Sequence, residues 1–146
     1  MSDKPPVSQS GPRPSRRKRL LIADAEPATR DWLKAIVDQL DAEVFEAATG
    51  LELQLMLNRQ GPFDLVITNG RLSPPSGLQV LASVRAAGSD TPFIVVTSFQ
   101  RDALRVFVSD AEGTVLSSRI VDEENLRVLA QNLIAAPRGY GSERLA

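Results

Sequence analysis

Cysteine and histidine are both absent from the 146 residues of this chain. Without them there are no disulfides, no thiol nucleophiles, no Cys/His zinc sites and no mechanism that turns on an imidazole base. A lack of cysteine fits a reducing cytoplasm, the expected location. No apolar run approaches the roughly 20 residues a membrane helix requires. The opening MSDKPPVSQSGPRPSRRKR carries bases but no apolar stretch of the kind a secretory signal needs, so neither membrane insertion nor export is expected. A large excess of one charge is also missing. Formal net charge is −1 and the pI about 5.5, so the chain as a whole is not built to coat nucleic acid. Phosphate-cradling loops of the G-x-G-x-x-G or G-x-x-x-x-G-K-[ST] kind are absent as well.

What is present is ordinary globular material, 42 % apolar and 24 % charged, in a length that suits one domain. A chain of this size hides roughly 70 % of its unfolded surface, enough for a real core. Charge is unevenly spread. Residues 1–19 hold six bases (Lys4, Arg13, Arg16, Arg17, Lys18, Arg19) against Asp3, whereas the remaining 127 hold 11 bases and 17 acids. Four of the ten prolines also fall in the first 14 positions. Residues 1–18 are therefore expected to be a disordered basic leader, 19–135 the folded domain and 136–146 a flexible tail. The Arg16–Arg19 cluster reads either as a solvated tail or as a nucleic-acid contact.

From Leu20 the pattern alternates regularly. Leu20–Ala23, Val44–Ala47, Leu65–Thr68, Phe93–Thr97 and Thr114–Leu116 read as short buried strands. Between them lie helical spacings. Pro27 opens the first, with Trp32, Leu33, Ile36, Val37 and Leu40 on one face. Leu51–Arg59 forms the second, and Leu78, Val80, Leu81 and Val84 mark the third. Phe99, Ala103, Val106 and Phe107 mark a fourth, and Leu126, Val128, Leu129, Leu133 and Ile134 a fifth. Five βα units predict an α/β fold: a flavodoxin-like, doubly wound, five-stranded parallel sheet of order 2-1-3-4-5 with five helices. Sites in such sheets form at the carboxyl ends of the strands, beside the switch in strand order. Those places hold Asp24-Ala25-Glu26, Asn69, Thr97 and Ser117-Ser118-Arg119.

Here the chain resembles the receiver domains of bacterial two-component response regulators. LLIADAEPATRDWL, FDLVITNGRLSPPSGLQVL, PFIVVTS and GTVLSS carry the resemblance, with Asp24, Asn69 and Thr97 spaced as in that family. The resemblance implies an acidic pair after the first strand and a phospho-accepting Asp after the third. Together these hold Mg²⁺, while a hydroxyl after strand four and a lysine after strand five contact the phosphoryl group. The chemistry needs each part: a carboxylate nucleophile to form the acyl phosphate, oxygen ligands for a hard cation, and donors for the added oxygens. This chain departs where it matters. Asn69 stands at the phospho-accepting position, Ala25 replaces an acid, and the lysine position falls on Ser117 or Arg119, with Ser117 the better fit to a preceding apolar triplet. Asn69-Gly70 also reads as a tight turn, Asp24 and Glu26 as groups that favour a helix N-terminus, and Thr97 as a strand-end residue bonding locally.

The expectation is a stand-alone degenerate receiver without catalytic residues, metal or cofactor, acting by binding a protein partner, a second copy included. The other reading is a regulator that touches nucleic acid through its basic leader. The expected surface is the face of helix four, strand five and helix five. At about 100° per residue Leu104 and Val108 would form an apolar ridge there, beside Arg101 and Arg105. Leu51 and Leu55 lie off the core stripe of the second helix, which widens its apolar arc.

Overall fold

Runs of apolar residues too short for a helix and free of polar breaks become the central strands. In the computed structural model, which describes residues 17–100, 102–110 and 116–136, Leu20–Ala23 and Leu65–Ile67 are fully buried. They belong to β1 (Lys18–Ala23) and β3 (Leu65–Asn69), which pair in parallel. β2 (Ala42–Ala47) lies outside β1, and β4 (Phe93–Gln100) lies beside β3. The helices are α1 (Pro27–Val37), continued by a 3-10 turn at Asp38–Leu40, α2 (Gly50–Gln60), α3 (Gly77–Ala86) and α4 (Glu123–Ala135). Sequence sets their starts. Pro27 occupies the first turn of α1. Thr49 and Asp122 cap α2 and α4, and Ser76 with Gln79 forms a reciprocal capping box on α3.

Alternation along the strands divides the core in two. Leu20, Ile22, Leu65, Ile67, Ile94 and Val96 face α1 and α4, whereas Leu21, Ala23, Val66, Phe93 and Val95 face α2 and α3. Helices thus cover both faces of the parallel part, as expected.

The second half departs from expectation. The segment predicted as a fourth helix is a strand, β5 (Ala103–Ser109), which returns antiparallel to β4 through a two-residue connection. β6 (Ser117–Val121) then runs antiparallel to β5. The sheet is therefore mixed and six-stranded, of order β2-β1-β3-β4-β5-β6, with four α-helices among the described residues. The physical reason lies in ALRVFVS. Its apolar residues satisfy helical spacing, yet Leu104, Val106 and Val108 also alternate with Ala103, Arg105 and Phe107, and its β-branched and aromatic residues favour the pleated state.

Three expectations change with it. Leu104 and Val108, expected as an exposed ridge, are 0 % and 3 % exposed, because residues four apart on a strand share one face and here that face is the α1–α4 core. Arg105 points to the other side and is exposed. Of the fifth predicted strand, Thr114 and Val115 lie outside the described residues, and Leu116 is exposed and precedes β6. Arg101, Thr114 and the segments 1–16 and 137–146, hence most of the expected leader and tail, lie outside the described residues. The wide apolar arc of α2 is present, with Leu51 57 % and Leu55 38 % exposed. Among the described residues no helix is long and apolar enough to cross a membrane.

Candidate functional site

Strand order reverses between β1 and β3, and the carboxyl ends of these two strands carry Asp24 and Asn69. Asp24 follows β1 directly and is 2 % exposed. Its backbone N–H donates to Ala47 O at 3.0 Å, which pins it to the end of β2. Its Oδ1 accepts the Glu26 N–H at 2.8 Å, a side-chain-to-backbone turn that leads the chain into α1. Its Oδ2 accepts from Asn69 Nδ2 at 2.9 Å.

The Asn69 amide is oriented by its other end. The Arg71 N–H donates to Asn69 Oδ1 at 2.7 Å, so the oxygen faces Arg71 and the NH₂ must face Asp24. The loop beyond is held closely. Gly70 N–H donates to Val96 O at 2.9 Å. A Cβ at Gly77 would lie 2.4 Å from Asn69 O, so the start of α3 rests on the Asn69 backbone in a way only glycine permits.

Around this pair sits an ion network that the spacing argument missed. Arg30 Nη1 donates to the Asp24 carbonyl at 2.7 Å and its Nε donates to Glu46 Oε1 at 2.8 Å. Lys34 Nζ reaches Glu46 Oε2 at 2.7 Å. Hydrogen bonds from Lys34 and then Arg30 hold the Glu46 carboxyl below its usual range, and those to Glu46 and then Asp31 raise Lys34. A signal for Arg30 exists in the sequence: it lies one turn into α1 from Glu26, where a long side chain can fold back over the strand end.

The expected pocket residues are only partly brought together. Asp24 and Asn69 meet. Glu26 contributes its backbone N–H, while its side chain makes no cap hydrogen bond and, like Ala25, it is exposed. Thr97 sits at an irregularity in the β4–β5 ladder, where its hydroxyl donates to Arg105 O at 3.4 Å. It bonds along the hairpin rather than into the pocket. Ser117 and Arg119 lie on β6, with β4 and β5 between them and β3. Three strand spacings of about 4.8 Å separate them from Asn69. The inserted β5 is what moves them away, since it occupies the place beside β4 where the predicted fifth strand would run.

A divalent cation does not fit this arrangement. Hard cations need several oxygen ligands. Here Asn69 offers Asp24 an N–H, both Asp24 carboxyl oxygens already accept hydrogen bonds, and Ala25 has no ligand atom. What the arrangement does chemically is satisfy a buried carboxyl with neutral donors.

Comparison with known proteins places this geometry. A family model, the response regulator receiver domain, matches residues 20–131. Response regulator protein PilR of Pseudomonas aeruginosa is 30 % identical over 83 residues, which amount to 57 % of this chain and 18 % of PilR. The chain thus spans less than a fifth of that relative. Among solved structures, the receiver domain of the Francisella response regulator 1452 superposes with a TM-score of 0.59 at 16 % identity, over 81 % of this chain and 97 % of its own. A response regulator receiver domain protein from Bacillus halodurans gives 0.51 at 20 % identity, over 58 % and 73 %. At these identities the two structures speak to the fold alone.

Proposed function

This chain belongs to the response regulator receiver domain family, and on that premise we propose that it is a pseudo-receiver, not phosphorylated at the usual position, which acts by binding another protein. Receiver domains are signalling modules of two-component systems, and the proposal concerns how this one signals. The observation that carries it is the Asn69 Nδ2–Asp24 Oδ2 hydrogen bond at 2.9 Å. Where a receiver that accepts phosphate gathers carboxylates around a cation, this pocket holds one carboxyl and satisfies it with an amide. Repulsion among clustered acids, which a cation must relieve, is absent between these two positions. No phosphoryl group is then needed to set the state, and output rests on a surface presented constitutively.

Protein binding is favoured over nucleic-acid contact by where the clustered bases go. Arg17 Nη2 donates to Ala42 O at 2.9 Å and its Nε lies 3.7 Å from Asp41. Arg19 stacks on the rings of Phe45 and Phe63 at 4.7 and 4.9 Å and donates to the carbonyls of Gln60 and Pro62. Two of the four bases in the cluster thus serve the domain itself. A cytoplasmic setting accords with the lack of cysteine.

The test is incubation of the full chain with acetyl phosphate and Mg²⁺, followed by intact mass. No gain of a phosphoryl group is expected, and a stoichiometric gain would falsify the proposal. Asn69→Asp alone should regain little, because Ala25 still leaves the cation short of a ligand. Asn69→Asp with Ala25→Asp is the fuller restoration.

A further inference from the structure

A glycine at the head of a helix adds backbone freedom and no packing, so Gly50 at the start of α2 needs a reason. It is buried, and the space a side chain would take is filled. A Cβ there would collide with the Pro75 carbonyl and lie 2.6 Å from the Ser73 carbonyl oxygen. Both belong to the loop 70–76 that leads from Asn69 to α3. The Gly50 N–H donates to Ser73 O at 3.2 Å, so the close approach and the hydrogen bond fall on the same stretch of loop.

The rest of this first turn is equally fixed. Thr49 Oγ1 accepts the Glu52 N–H at 3.0 Å and Glu52 Oε1 accepts the Ala48 N–H at 2.6 Å, which ties residues 48–52 to one another. The loop is anchored as well. Leu72 packs against the α2–α3 side of the core, and the Gly77 N–H donates to Gly70 O at 3.3 Å.

Taken in order, these links close on themselves. Asp24 Oδ2 accepts from Asn69 Nδ2, Asn69 Oδ1 accepts the Arg71 N–H, Ser73 O accepts the Gly50 N–H, and Ala47 O accepts the Asp24 N–H. One residue separates Arg71 from Ser73, and two separate Ala47 from Gly50. We propose that this ring is a coupling device: the first turn of α2 and the Asn69–Asp24 bond hold each other in place, so that displacing one loosens the other. Short links and the filled space at Gly50 leave little slack to absorb a shift before it reaches the next bond. The ring meets the surface at Leu51, the exposed residue that follows Gly50. α2 is thereby the element through which the pocket is felt from outside. The ring exists whether or not the chain takes a phosphoryl group, which the acetyl phosphate test decides separately.

The experiment follows the ¹⁵N-labelled full chain by amide hydrogen exchange and chemical shift, with one substitution on each side of the ring. Asn69→Ala removes both side-chain links. The Gly50 amide should then exchange at least about fivefold faster than in the parent, the low end of ordinary coupling. That gain is counted beyond any change at the Leu129 amide, which lies in α4 on the other face of the sheet and reports global opening. Gly50→Ala adds the methyl for which the loop has no room. In a variant folded by circular dichroism, the Asn69 side-chain signals and the Arg71 amide should move well beyond their displacement in Leu55→Ala, an exposed control further along α2. Gly50 exchange that only keeps pace with Leu129, or Asn69 signals unmoved in folded Gly50→Ala, overturns the coupling. If Gly50→Ala does not fold, the exchange measured in Asn69→Ala decides alone.

Discussion

Replacing Asn69 with aspartate changes one atom pair and reverses the electrostatics of the pocket. The new carboxyl group keeps an oxygen for the Arg71 N–H, but turns its other oxygen toward Asp24 Oδ2 where the amide donor stood at 2.9 Å. At that separation and an effective dielectric of about 20, two ionised carboxylates repel by roughly 6 kcal/mol. Proton uptake caps the cost. Holding a carboxyl of ordinary pKa, about 3.9, protonated at pH 7 requires about 4 kcal/mol, and once protonated its O–H donates to Asp24 in place of the lost amide. Asn69→Asp should therefore lose about 3–4 kcal/mol of stability at pH 7, a large part of the 5–15 kcal/mol of an ordinary domain. The folded pair binds its proton more tightly than the unfolded chain does. The variant must then regain stability as pH falls, to within about 1 kcal/mol of the parent at pH 4. Urea unfolding of both proteins at the two pH values reads this directly, with equal slopes expected and only the midpoints moving. A variant as stable as the parent at pH 7, or a loss that does not shrink at pH 4, would refute the closed-pocket account.

Other substitutions separate strand from helix and core from surface. Leu104→Ala should cost about 2–5 kcal/mol by urea unfolding, because Leu104 is fully buried in β5; a change under about 0.5 kcal/mol would return it to an exposed helical ridge. Leu51→Ala, at a position 57 % exposed, should stay within about 0.5 kcal/mol of the parent. Lys34 and Arg30 depress the Glu46 carboxyl, so its contribution is present above the ordinary glutamate pKa and fades as pH falls through the lowered folded value. Glu46→Gln should thus be mildly destabilising at pH 7, by up to about 1 kcal/mol at low salt, and the difference from the parent should shrink as pH falls below the ordinary glutamate range.

Leu20–Ala23 and Leu65–Ile67 were legible in the sequence because a strand buried on both faces has no polar interruption, and nothing else that short does. Strand order then placed Asp24 and Asn69 at one crevice, and the 2.9 Å contact is where that reasoning led. It stopped at β5. ALRVFVS is short enough to satisfy both periods, and only pairing with β4, a tertiary event, decides between them. The strand before the last helix includes Ser117–Val121, beyond the expected run that ends at Leu116, for a related reason. Thr114–Leu116 looks like a buried strand, whereas SSRIV, polar over its first three residues and mostly exposed, lacks the continuous apolar run of a strand covered on both faces. That pair of errors also carried Ser117 and Arg119 into the pocket, since a parallel fifth strand beside β4 would have brought them there. Spacing puts Arg30 one turn into α1 from Glu26, but its bond to the Asp24 carbonyl depends on how α1 packs over the end of β1, which is a tertiary matter.

The Asn69 side-chain amide reports the central claim without any variant. In a ¹⁵N-labelled sample its two protons, one of them bonded to Asp24, give a resolved pair of signals that can be followed during titration with Mg²⁺ and then with beryllofluoride, a mimic of the phosphoryl group. A pocket closed by Asn69 and Asp24 predicts that neither addition moves these signals, nor the amides of Glu26 and Arg71, beyond the small drift that salt gives everywhere. A saturable shift of the Asn69 amide, with Glu26 and Arg71 moving in step, would contradict it.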